Sequence, residues 1–223
     1  MITAATDAPG FNFGALAKGT QVAGYTTGSG GIQWTADMWR QFPAAVRICQ
    51  DSAASDHTAD VLDVESGAAT LAECAPWKKA AQKAFLTGAR PGQREPAIYC
   101  SLSMVTSVVN ALKAGGVDRC PIWMAHFGIG VTAAENVLRA STGPYPIIGV
   151  QFANGPKFDS DLFLTPWLEN VSGKAVIMQE PPGQWNDPKF WTWQDCCLIG
   201  TGVDGKLHVF AFDPKAGTWT KAE

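Results

Sequence analysis

Long apolar runs, basic clusters and an export signal are all missing from this 223-residue sequence. No stretch approaches the roughly 18 to 20 apolar residues that a membrane-spanning helix needs. The first residues, Met1 to Asp7, lack the charged and apolar regions of a secretory signal. The 17 basic and 20 acidic side chains give a net charge of −3 with no run of Lys or Arg, whereas nucleic acids and anionic membranes are bound through concentrated positive charge. We therefore expect a soluble chain with no visible Sec signal, no nucleic-acid partner and no membrane partner.

Ligand spacings typical of zinc sites are missing as well. No two cysteines form a CxxC pair and the histidines are isolated; these residues are Cys49, Cys74, Cys100, Cys120, Cys196 and Cys197, and His57, His126 and His208. We therefore expect no metal and no cofactor. Buried free thiols are the simplest interpretation of the cysteines, and a disulfide stays open because the sequence alone gives no pairing.

What is present is an ordinary globular composition, with 46% hydrophobic and 17% charged residues. Over residues 1–172, short apolar runs alternate with helical patterns, as in βα units around a parallel sheet. The eight predicted strands are Ile2–Thr6, Gln21–Tyr25, Ala45–Cys49, Asp60–Val64, Pro96–Cys100, Ile122–Ala125, Ile147–Gln151 and Phe158–Phe163. A roomy eightfold barrel takes about 250 residues, so we predict a compact, irregular TIM-like (β/α) barrel in which some crossovers lack helices. An open doubly wound sheet is the alternative.

Two capping-box patterns mark predicted helix starts. Thr70 with Glu73, and Thr132 with Glu135, each place a hydroxyl three residues before a carboxylate and ahead of an apolar run. We therefore expect one helix to begin next to Thr70 and another next to Thr132.

The residue composition and the hydrophobic pattern of the sequence change after residue 172. Residues 173–191 contain breakers such as Pro181-Pro182-Gly183 and are predicted to be a linker. Residues 192–223 alternate like strands around a turn at Val203–Lys206, which predicts a small β-hairpin appendage. So small a unit needs to pack on the barrel or on another chain. Four tryptophans offer that contact or, alternatively, sugar platforms; they are Trp185, Trp191, Trp193 and Trp219.

The pair Asp63 and Glu65 carries the clearest chemical signal. Side chains two positions apart on a strand share a face, so both carboxyls point into the same space, roughly 6 to 7 Å apart at Cα. In a parallel barrel the carboxyl ends of the strands carry the active site. Neighbouring carboxyls push their pKa values apart, so that one can act as an acid while the other stays ionised. Glycoside cleavage needs this combination, whereas a bound cation or a salt bridge to Arg47 is the structural alternative.

Five segments lie at predicted strands or strand ends: Leu62–Glu65, Pro96–Ser101, Ile122–Phe127, Gly149–Phe152 and Phe158–Phe163. In this order they resemble the lysozymes of glycoside hydrolase family 25, and more closely the glycoside-hydrolase-like barrels of actinobacteria and their phages. The resemblance covers residues 1–172. It implies an N-acetylmuramidase that acts on peptidoglycan through a groove at the carboxyl ends of the strands. It also implies a place in a phage virion or at the extracellular face of the cell wall.

The same resemblance implies roles for individual residues. Glu65 matches the proton donor, Asp63 the carboxylate that supports the intermediate, and Asp7 the aspartate that ends the first strand. Asp161 matches a further site carboxylate, with Asp159, one strand period away, as the competing assignment. Residues matching the sugar groove are Tyr99, Phe127, Gln151 and Phe152.

Two of the matched segments depart from the family pattern. His126-Phe127 stands for Gln-Tyr, and Val150-Gln151-Phe152 stands for Trp-Gln-Tyr. Each Phe removes a phenolic hydroxyl that could orient a sugar. A second hypothesis follows: a catalytically weak or inactive barrel that serves as a sugar-binding or structural component of a phage virion. Its C-terminal appendage would then contact other virion proteins or a second copy of the chain.

Overall fold

The computed structural model describes residues 1–87 and 94–169, and the backbone of residues 192–194, 197–201, 207–213 and 218–222. The chain forms two compact units, Met1–Ala175 and Val176–Glu223. No helix in these described ranges is long and apolar enough to cross a membrane.

Eight strands of the first unit close into a barrel in which spatial order follows chain order. They are β1 (Ile2–Asp7), β2 (Val22–Tyr25), β3 (Val46–Cys49), β4 (Val61–Val64), β5 (Ala97–Ser101), β6 (Ile122–Ala125), β7 (Ile147–Asn154) and β8 (Asp159–Leu164). Each overlaps one of the strands predicted from the sequence. Because the sheet closes on itself, the open doubly wound alternative is wrong.

Strand direction differs from the expected parallel sheet at one position. Strands β1 to β7 pair in parallel, whereas β8 runs antiparallel to both β7 and β1. Only four residues separate β7 from β8, and a connection this short joins antiparallel neighbours, because a parallel crossover needs a dozen residues or more. The first unit is therefore a closed eight-stranded mixed barrel with helices packed outside it.

Helices follow β4, β5 and β6 and cover the outside of the sheet. They are α2 (Cys74–Leu86), α3 (Val105–Ala114) and α4 (Val131–Ala140), with the shorter α1 (Ala36–Gln41) and α5 (Thr165–Glu169) elsewhere in the described ranges. Apolar residues at helical spacing, such as Trp77 and Ala81 or Val108 and Leu112, are buried against the sheet. The β3–β4 connection contains no helix, as expected for so short a barrel sequence.

The two capping-box predictions have different outcomes. Before α2, the Thr70 N–H donates to Glu73 Oε2 at 2.9 Å, which is one half of the expected box, and the helix begins at Cys74. The helix predicted next to Thr132 is present, since α4 begins at Val131, but the capping box does not form, because Gly130 is the N-cap and makes no side-chain bond. Glu135 accepts instead from Arg139 Nη2 at 3.4 Å, one helical turn on.

Near β1 to β3, an aromatic cluster packs together with residues of the short helix α1. Trp34 is buried with Ala8, Val22 and Ala45, and its indole N–H donates to the Ala8 carbonyl at 2.6 Å. A Cβ atom on Gly24 would lie 2.3 Å from the Trp34 ring. The indole therefore lies directly on the β2 backbone, a contact that only glycine allows.

Four aromatic rings stack along the inside of the barrel. Trp167 and Phe163 are stacked at 5.5 Å, Phe163 and Trp123 meet at 4.8 Å, and Trp123 and Tyr99 meet at 5.1 Å between ring centroids. We call Trp167, Phe163, Trp123 and Tyr99 the aromatic column. Small inner residues leave room for these rings; they are Ala5, Ala23 and Ala97. The column occupies much of the barrel interior, and two of its members, Tyr99 and Trp123, line a cavity at the carboxyl ends of the strands.

A buried ion pair closes the opposite end of the barrel. Arg94 Nη1 lies 3.2 Å from Asp60 Oδ2, and both side chains are almost fully buried. Arg94 also donates to the carbonyls of Leu168 and Ala44 at 3.1 and 2.7 Å. The amino ends of the strands are thus sealed, and the carboxyl ends are left for a site.

The second unit contains a four-stranded antiparallel sheet in the order β12-β11-β10-β9. The strands are β9 (Thr192–Gln194), β10 (Cys197–Thr201), β11 (Leu207–Asp213) and β12 (Thr218–Ala222). The sheet thus has more strands than the predicted hairpin. The predicted linker at 173–191, with Trp185 and Trp191, and the predicted turn at 203–206 lie outside the described residues.

Candidate functional site

A cavity of about 230 Å³ opens at the carboxyl ends of the barrel strands. We call it the acid cavity, because four of its lining residues carry carboxyl groups. Its walls are Asp7, Tyr25, Ile48, Asp63, Glu65, Tyr99, Trp123, Phe127, Gln151, Asn154 and Asp159. Seven of the nine residues predicted from the sequence as site residues therefore line one space.

Asp63 and Glu65 both face the acid cavity, as their two-residue spacing predicts. Asp63 lies in β4 and is 3% exposed, whereas Glu65 follows the end of β4 and is exposed. Burial raises the pKa of Asp63 well above its usual value, and the charge of Glu65 raises it further. Burial also raises the pKa of Glu65, with a contribution from Asp159, while the Gln50 side chain lowers both pKa values. The pair thus combines one buried and one accessible carboxyl, both inclined to hold a proton.

Asp7 is held by three connected side chains. The Tyr25 hydroxyl donates to Asp7 Oδ2 at 2.9 Å, and Gln151 Nε2 donates to the same oxygen at 3.3 Å. Gln151 Oε1 in turn accepts from the Tyr99 hydroxyl at 2.7 Å. This chain of hydrogen bonds fixes the amide orientation of Gln151 and aims the Asp7 carboxyl into the cavity. Burial and the nearby charge of Asp159 nevertheless raise the pKa of Asp7 to about 6.

Asp159 and Asp161 share a face of β8 at different depths. Asp159 pairs across the sheet with Asp7 and lines the cavity, and its Oδ1 accepts from the Gly155 N–H at 3.3 Å. Asp161 is 0% exposed and does not line the cavity. Its Oδ1 accepts from the Trp123 indole at 3.2 Å. Asp159 is therefore the β8 carboxyl that can reach a ligand, and Asp161 lies behind it.

Two carboxylate oxygens in this region are buried without a hydrogen-bond partner among the described residues. They are Asp63 Oδ1 and Asp161 Oδ2. Burial raises the pKa of Asp161 well above its usual value, with further contributions from Asp7 and Asp159. An unpartnered buried carboxylate is costly, so protonation is the favourable state of such a group.

The predicted aromatic residues take different places. Phe127 lines the acid cavity with 48% of its surface exposed, and Tyr99 lines it as well. Phe152 packs instead against the hydrophobic core on the outside of the sheet. The reason is strand alternation, since its neighbour Gln151 faces the barrel interior.

Tyr25, Trp123, Ile48 and Asn154 line the acid cavity and were not predicted as site residues. Trp123 could have been predicted, because it lies in the matched segment Ile122–Phe127. Alternation along that strand places it on the same face as Ala125, at the strand's carboxyl end. Tyr25 ends β2 as Asp7 ends β1, but only the closed sheet brings the two side chains together.

Two structural alternatives were open for Asp63 and Glu65, namely a bound cation and a salt bridge to Arg47, and the described residues support neither. Among the residues that the structure describes, no three His, Cys, Asp or Glu side chains are grouped to hold a metal ion. Arg47 lies over the Trp39 ring at 4.3 Å, and no ion pair with Asp63 or Glu65 occurs in the described part of the chain. Cys49, Cys74, Cys100 and Cys120 are free and buried, whereas Cys196 lies outside the described residues and the Cys197 side chain is not described.

Neither protein-family models nor curated proteins nor solved structures match this chain.

Proposed function

We propose that the barrel is a glycoside hydrolase of the N-acetylmuramidase type that acts on peptidoglycan. The observation that carries the proposal is the pair Asp63 and Glu65, one buried and one accessible, at the wall of an open cavity. Cleavage of a glycosidic bond requires an acid near the leaving oxygen and a second carboxylate near the sugar. The two carboxyls offer both functions at one strand end.

In the proposed mechanism, Glu65 protonates the leaving oxygen and Asp63 stabilises positive charge on the sugar or on its acetamido group. Burial raises the pKa of both groups, most strongly that of Asp63, and two interacting carboxyls titrate as a pair, with one proton held more tightly than the other. Positive charge that develops beside Asp63 favours its ionised form. As Asp63 becomes ionised, the proton of the pair is held by Glu65, the accessible carboxyl, which transfers it to the leaving oxygen as the glycosidic bond breaks.

Asp7 and Asp159 form the opposite wall and position the sugar. The hydroxyl of Tyr25 and the amide of Gln151 both donate to one oxygen of Asp7 and fix the carboxyl at the cavity wall, where we propose that it accepts from a sugar hydroxyl. The cavity, at about 230 Å³, lies just below the roughly 300 to 1,000 Å³ of drug-sized ligand sites. Its size and polar walls suit a single sugar ring.

We also propose that the barrel is an irregular TIM-like barrel related to that of glycoside hydrolase family 25. In its support, the strands close in chain order and the site lies at their carboxyl ends. The antiparallel β8 and the missing helix between β3 and β4 are the irregularities. A phage virion, or the extracellular face of the cell wall, is the proposed place of action.

The test is release of reducing sugar from actinobacterial cell wall by the wild type and by Glu65→Gln. Because general acid catalysis contributes roughly 10²- to 10⁴-fold, Glu65→Gln is expected to lose most of the rate. Asp63→Asn should be impaired as well. The matched control is Glu135→Gln, whose carboxylate pairs with Arg139 on α4 outside the cavity, and it should retain the wild-type rate. Equal rates for wild type and Glu65→Gln would refute the assignment.

The second candidate is a non-catalytic barrel that binds glycan as part of a phage particle. The observation that favours it is Phe127, an exposed ring without a hydroxyl at the cavity wall, which can stack on a sugar but cannot donate to it. Calorimetric titration with muropeptides, together with fractionation of phage particles, distinguishes the two. Binding without turnover in a particle-associated chain favours this candidate, and turnover by a free monomer favours the hydrolase.

A further inference from the structure

A cavity of about 640 Å³ lies outside the barrel strands, against helix α2. We call it the basic pocket, because Lys and Arg side chains predominate among its charged residues. One wall is a single face of α2, made of residues three and four positions apart; they are Lys79, Gln82, Lys83 and Leu86. The facing wall comes from the chain shortly before β5 and before β6, and contains Glu95, Gly116, Val117 and Arg119. The pocket therefore lies at the amino ends of these strands and, among the described residues, shares no lining residue with the acid cavity.

Hydrogen bonds fix the walls of the basic pocket. The buried Lys78 ammonium donates to the Pro96 carbonyl at 2.7 Å, which ties α2 to the chain before β5. On the side of α3, the Val117 N–H donates to the Leu112 carbonyl at 2.9 Å, and the Tyr145 hydroxyl donates to the Val117 carbonyl. The pocket is thus a formed space between a helix and two braced segments.

The charge of the basic pocket is opposite to that of the acid cavity. Its described lining contains one carboxylate, Glu95, and four cations, which are Lys78, Lys79, Lys83 and Arg119. Glu95 is already shared, because its Oε1 lies 3.6 Å from Lys78 Nζ and 3.3 Å from Arg119 Nε. No ion pair of Lys79 or Lys83 occurs in the described part of the chain. Four cations against one carboxylate leave three positive charges in excess, in a chain whose net charge is −3.

Lys79 and Lys83 are exposed and lie one helical turn apart. Like charges at this spacing destabilise a helix, so an anion held between the two ammonium groups would relieve their repulsion. The Lys79 nitrogen reaches the facing wall, since a Cβ on Gly116 would lie 3.7 Å from it. Leu86, on the same face of α2, leaves 60% of its surface exposed beside them. Paired cations next to an apolar side chain suit an organic anion.

We propose that the basic pocket binds a phosphate monoester, with the phosphate between Lys79 and Lys83 and the apolar part of the ester against Leu86. A phosphate monoester carries a charge of about −1.5 to −2 at neutral pH and three acceptor oxygens, so it contacts both ammonium groups at once. A carboxylate has a single charge and two acceptor oxygens, and it compensates the pair less well. The site is independent of the proposed hydrolase activity, because it lies at the other end of the barrel.

Amide chemical shifts of the isotope-labelled full-length protein locate and measure the binding in one experiment. The probes, titrated at constant ionic strength, are phenyl phosphate, inorganic phosphate, benzoate and the neutral benzyl alcohol. Gly116 and Thr87 report on the basic pocket, and Asp63 and Gln151 report on the acid cavity. We expect saturable shifts at Gly116 and Thr87 but not at Asp63 and Gln151, with phenyl phosphate binding most tightly and benzyl alcohol most weakly.

Lys79→Gln and Lys83→Gln should each weaken phenyl phosphate binding roughly two- to fivefold, as expected for exposed ion pairs, and the double variant roughly tenfold. The loss should shrink as salt is raised. Leu86→Gln should weaken the binding of phenyl phosphate and leave that of inorganic phosphate unchanged. The matched control is Lys113→Gln, which removes a lysine from the last turn of α3 outside the pocket and should bind every probe as the wild type does.

Lys83 lies in the last turn of α2, where a cation also stabilises the end of a helix, so urea unfolding of each variant measures that separate role. A double variant that loses stability but binds phenyl phosphate with wild-type affinity would overturn the inference. Benzoate or benzyl alcohol binding as tightly as phenyl phosphate would overturn it as well, as would an absence of shifts at Gly116 and Thr87.

Discussion

Hydrogen bonds offset only part of the electrostatic cost of the carboxyl groups at and behind the mouth of the barrel. Asp7, Asp63, Glu65, Asp159 and Asp161 all have raised pKa values, and burial is the largest cause for each. No Lys or Arg in the described ranges forms an ion pair with any of them. Such a cluster usually lowers protein stability. Because groups with perturbed pKa values concentrate at functional sites, the cluster indicates a functional site here.

Asp161 allows the stability cost to be measured apart from the reaction, because it lies behind the cavity. Its folded pKa lies well above the unfolded value of 3.8, so the folded state binds the proton more tightly. Stability is therefore lost as pH rises above 3.8, where the unfolded carboxyl ionises first. Asp161→Asn keeps an oxygen for the Trp123 indole and removes the charge. We expect the variant to be more stable than the wild type at pH 7.5, by about 1 to 3 kcal/mol.

Urea unfolding of the wild type and Asp161→Asn at pH 4 and pH 7.5 checks this expectation. The stability gap should be large at the higher pH and should narrow toward the lower one. Asp118→Asn, at an exposed position, is the control and should track the wild type. An Asp161→Asn variant that is no more stable than the wild type at pH 7.5 would contradict the assigned protonation.

At the scale of the elements, the strands were predictable and the direction of the last one was not. Short apolar runs give the positions of β1 to β8, because each must bury at least one face. Alternation assigns residues to a face of a strand but carries no information about which end lies at the mouth. In a parallel β8, Asp161 would lie nearer the mouth than Asp159; the antiparallel β8 reverses this order. The choice between these two residues therefore stayed open in the sequence, and the topology shows only that Asp159 lies nearer the mouth.

The candidate site divides in the same way. Asp63 and Glu65 are close in sequence, so their shared face follows from the period of a single strand. The bonds from Tyr25 and Gln151 to Asp7 join strands up to 144 residues apart. Such contacts arise from barrel closure, which no local pattern encodes. For Phe152 the local pattern was sufficient and the resemblance was misleading. The resemblance assigned Phe152 to the groove, whereas alternation next to the inward-facing Gln151 predicts that it points outward.

Gly149 links an element to the site. A Cβ at this position in β7 would lie 2.4 Å from Phe163 Cε1 and 2.9 Å from Trp123 Cδ1. Gly149→Ala should therefore displace two rings of the aromatic column and destabilise the fold by about 1 to 3 kcal/mol. It should also disturb the indole that donates to Asp161. Urea unfolding together with tryptophan fluorescence measures both effects.

The control for this substitution is Gly14→Ala, where a Cβ would meet nothing within 4 Å. Its unfolding curve should match that of the wild type within about 0.5 kcal/mol. Equal stability of the two alanine variants would show that the column is more loosely packed than the structure indicates.

At the scale of the whole barrel, the two ends have opposite character. The closed end contains the paired charges of Arg94 and Asp60, whereas the carboxyls at the open end form no ion pair with any residue that the structure describes. Removing one member of a buried pair leaves the other charge uncompensated, which costs about 3 to 5 kcal/mol.

Arg94→Met is thus expected to lower the free energy of unfolding by that amount, whereas Arg119→Met should lower it by about 1 kcal/mol or less. Arg119 forms an exposed pair with Glu95 at 3.3 Å, which makes it a matched control on the outside of the barrel. Chemical unfolding of the three proteins gives the comparison. Similar losses in both variants would mean that the closed end does not support the barrel.

The division of the chain into two units predicts what happens when the second unit is removed. Every barrel strand and every residue lining the acid cavity precedes residue 170, so a chain that ends at Ala175 should fold and bind glycan as the full chain does. If the second unit, Val176–Glu223, provides attachment to other virion proteins or to a second copy, truncation should abolish that association alone. Circular dichroism, light scattering and muropeptide titration on the two lengths separate these effects.

A truncated chain that folds and binds glycan, yet associates as the full chain does, would place the attachment surface on the barrel instead. Loss of the fold on truncation would show that the barrel depends on the second unit.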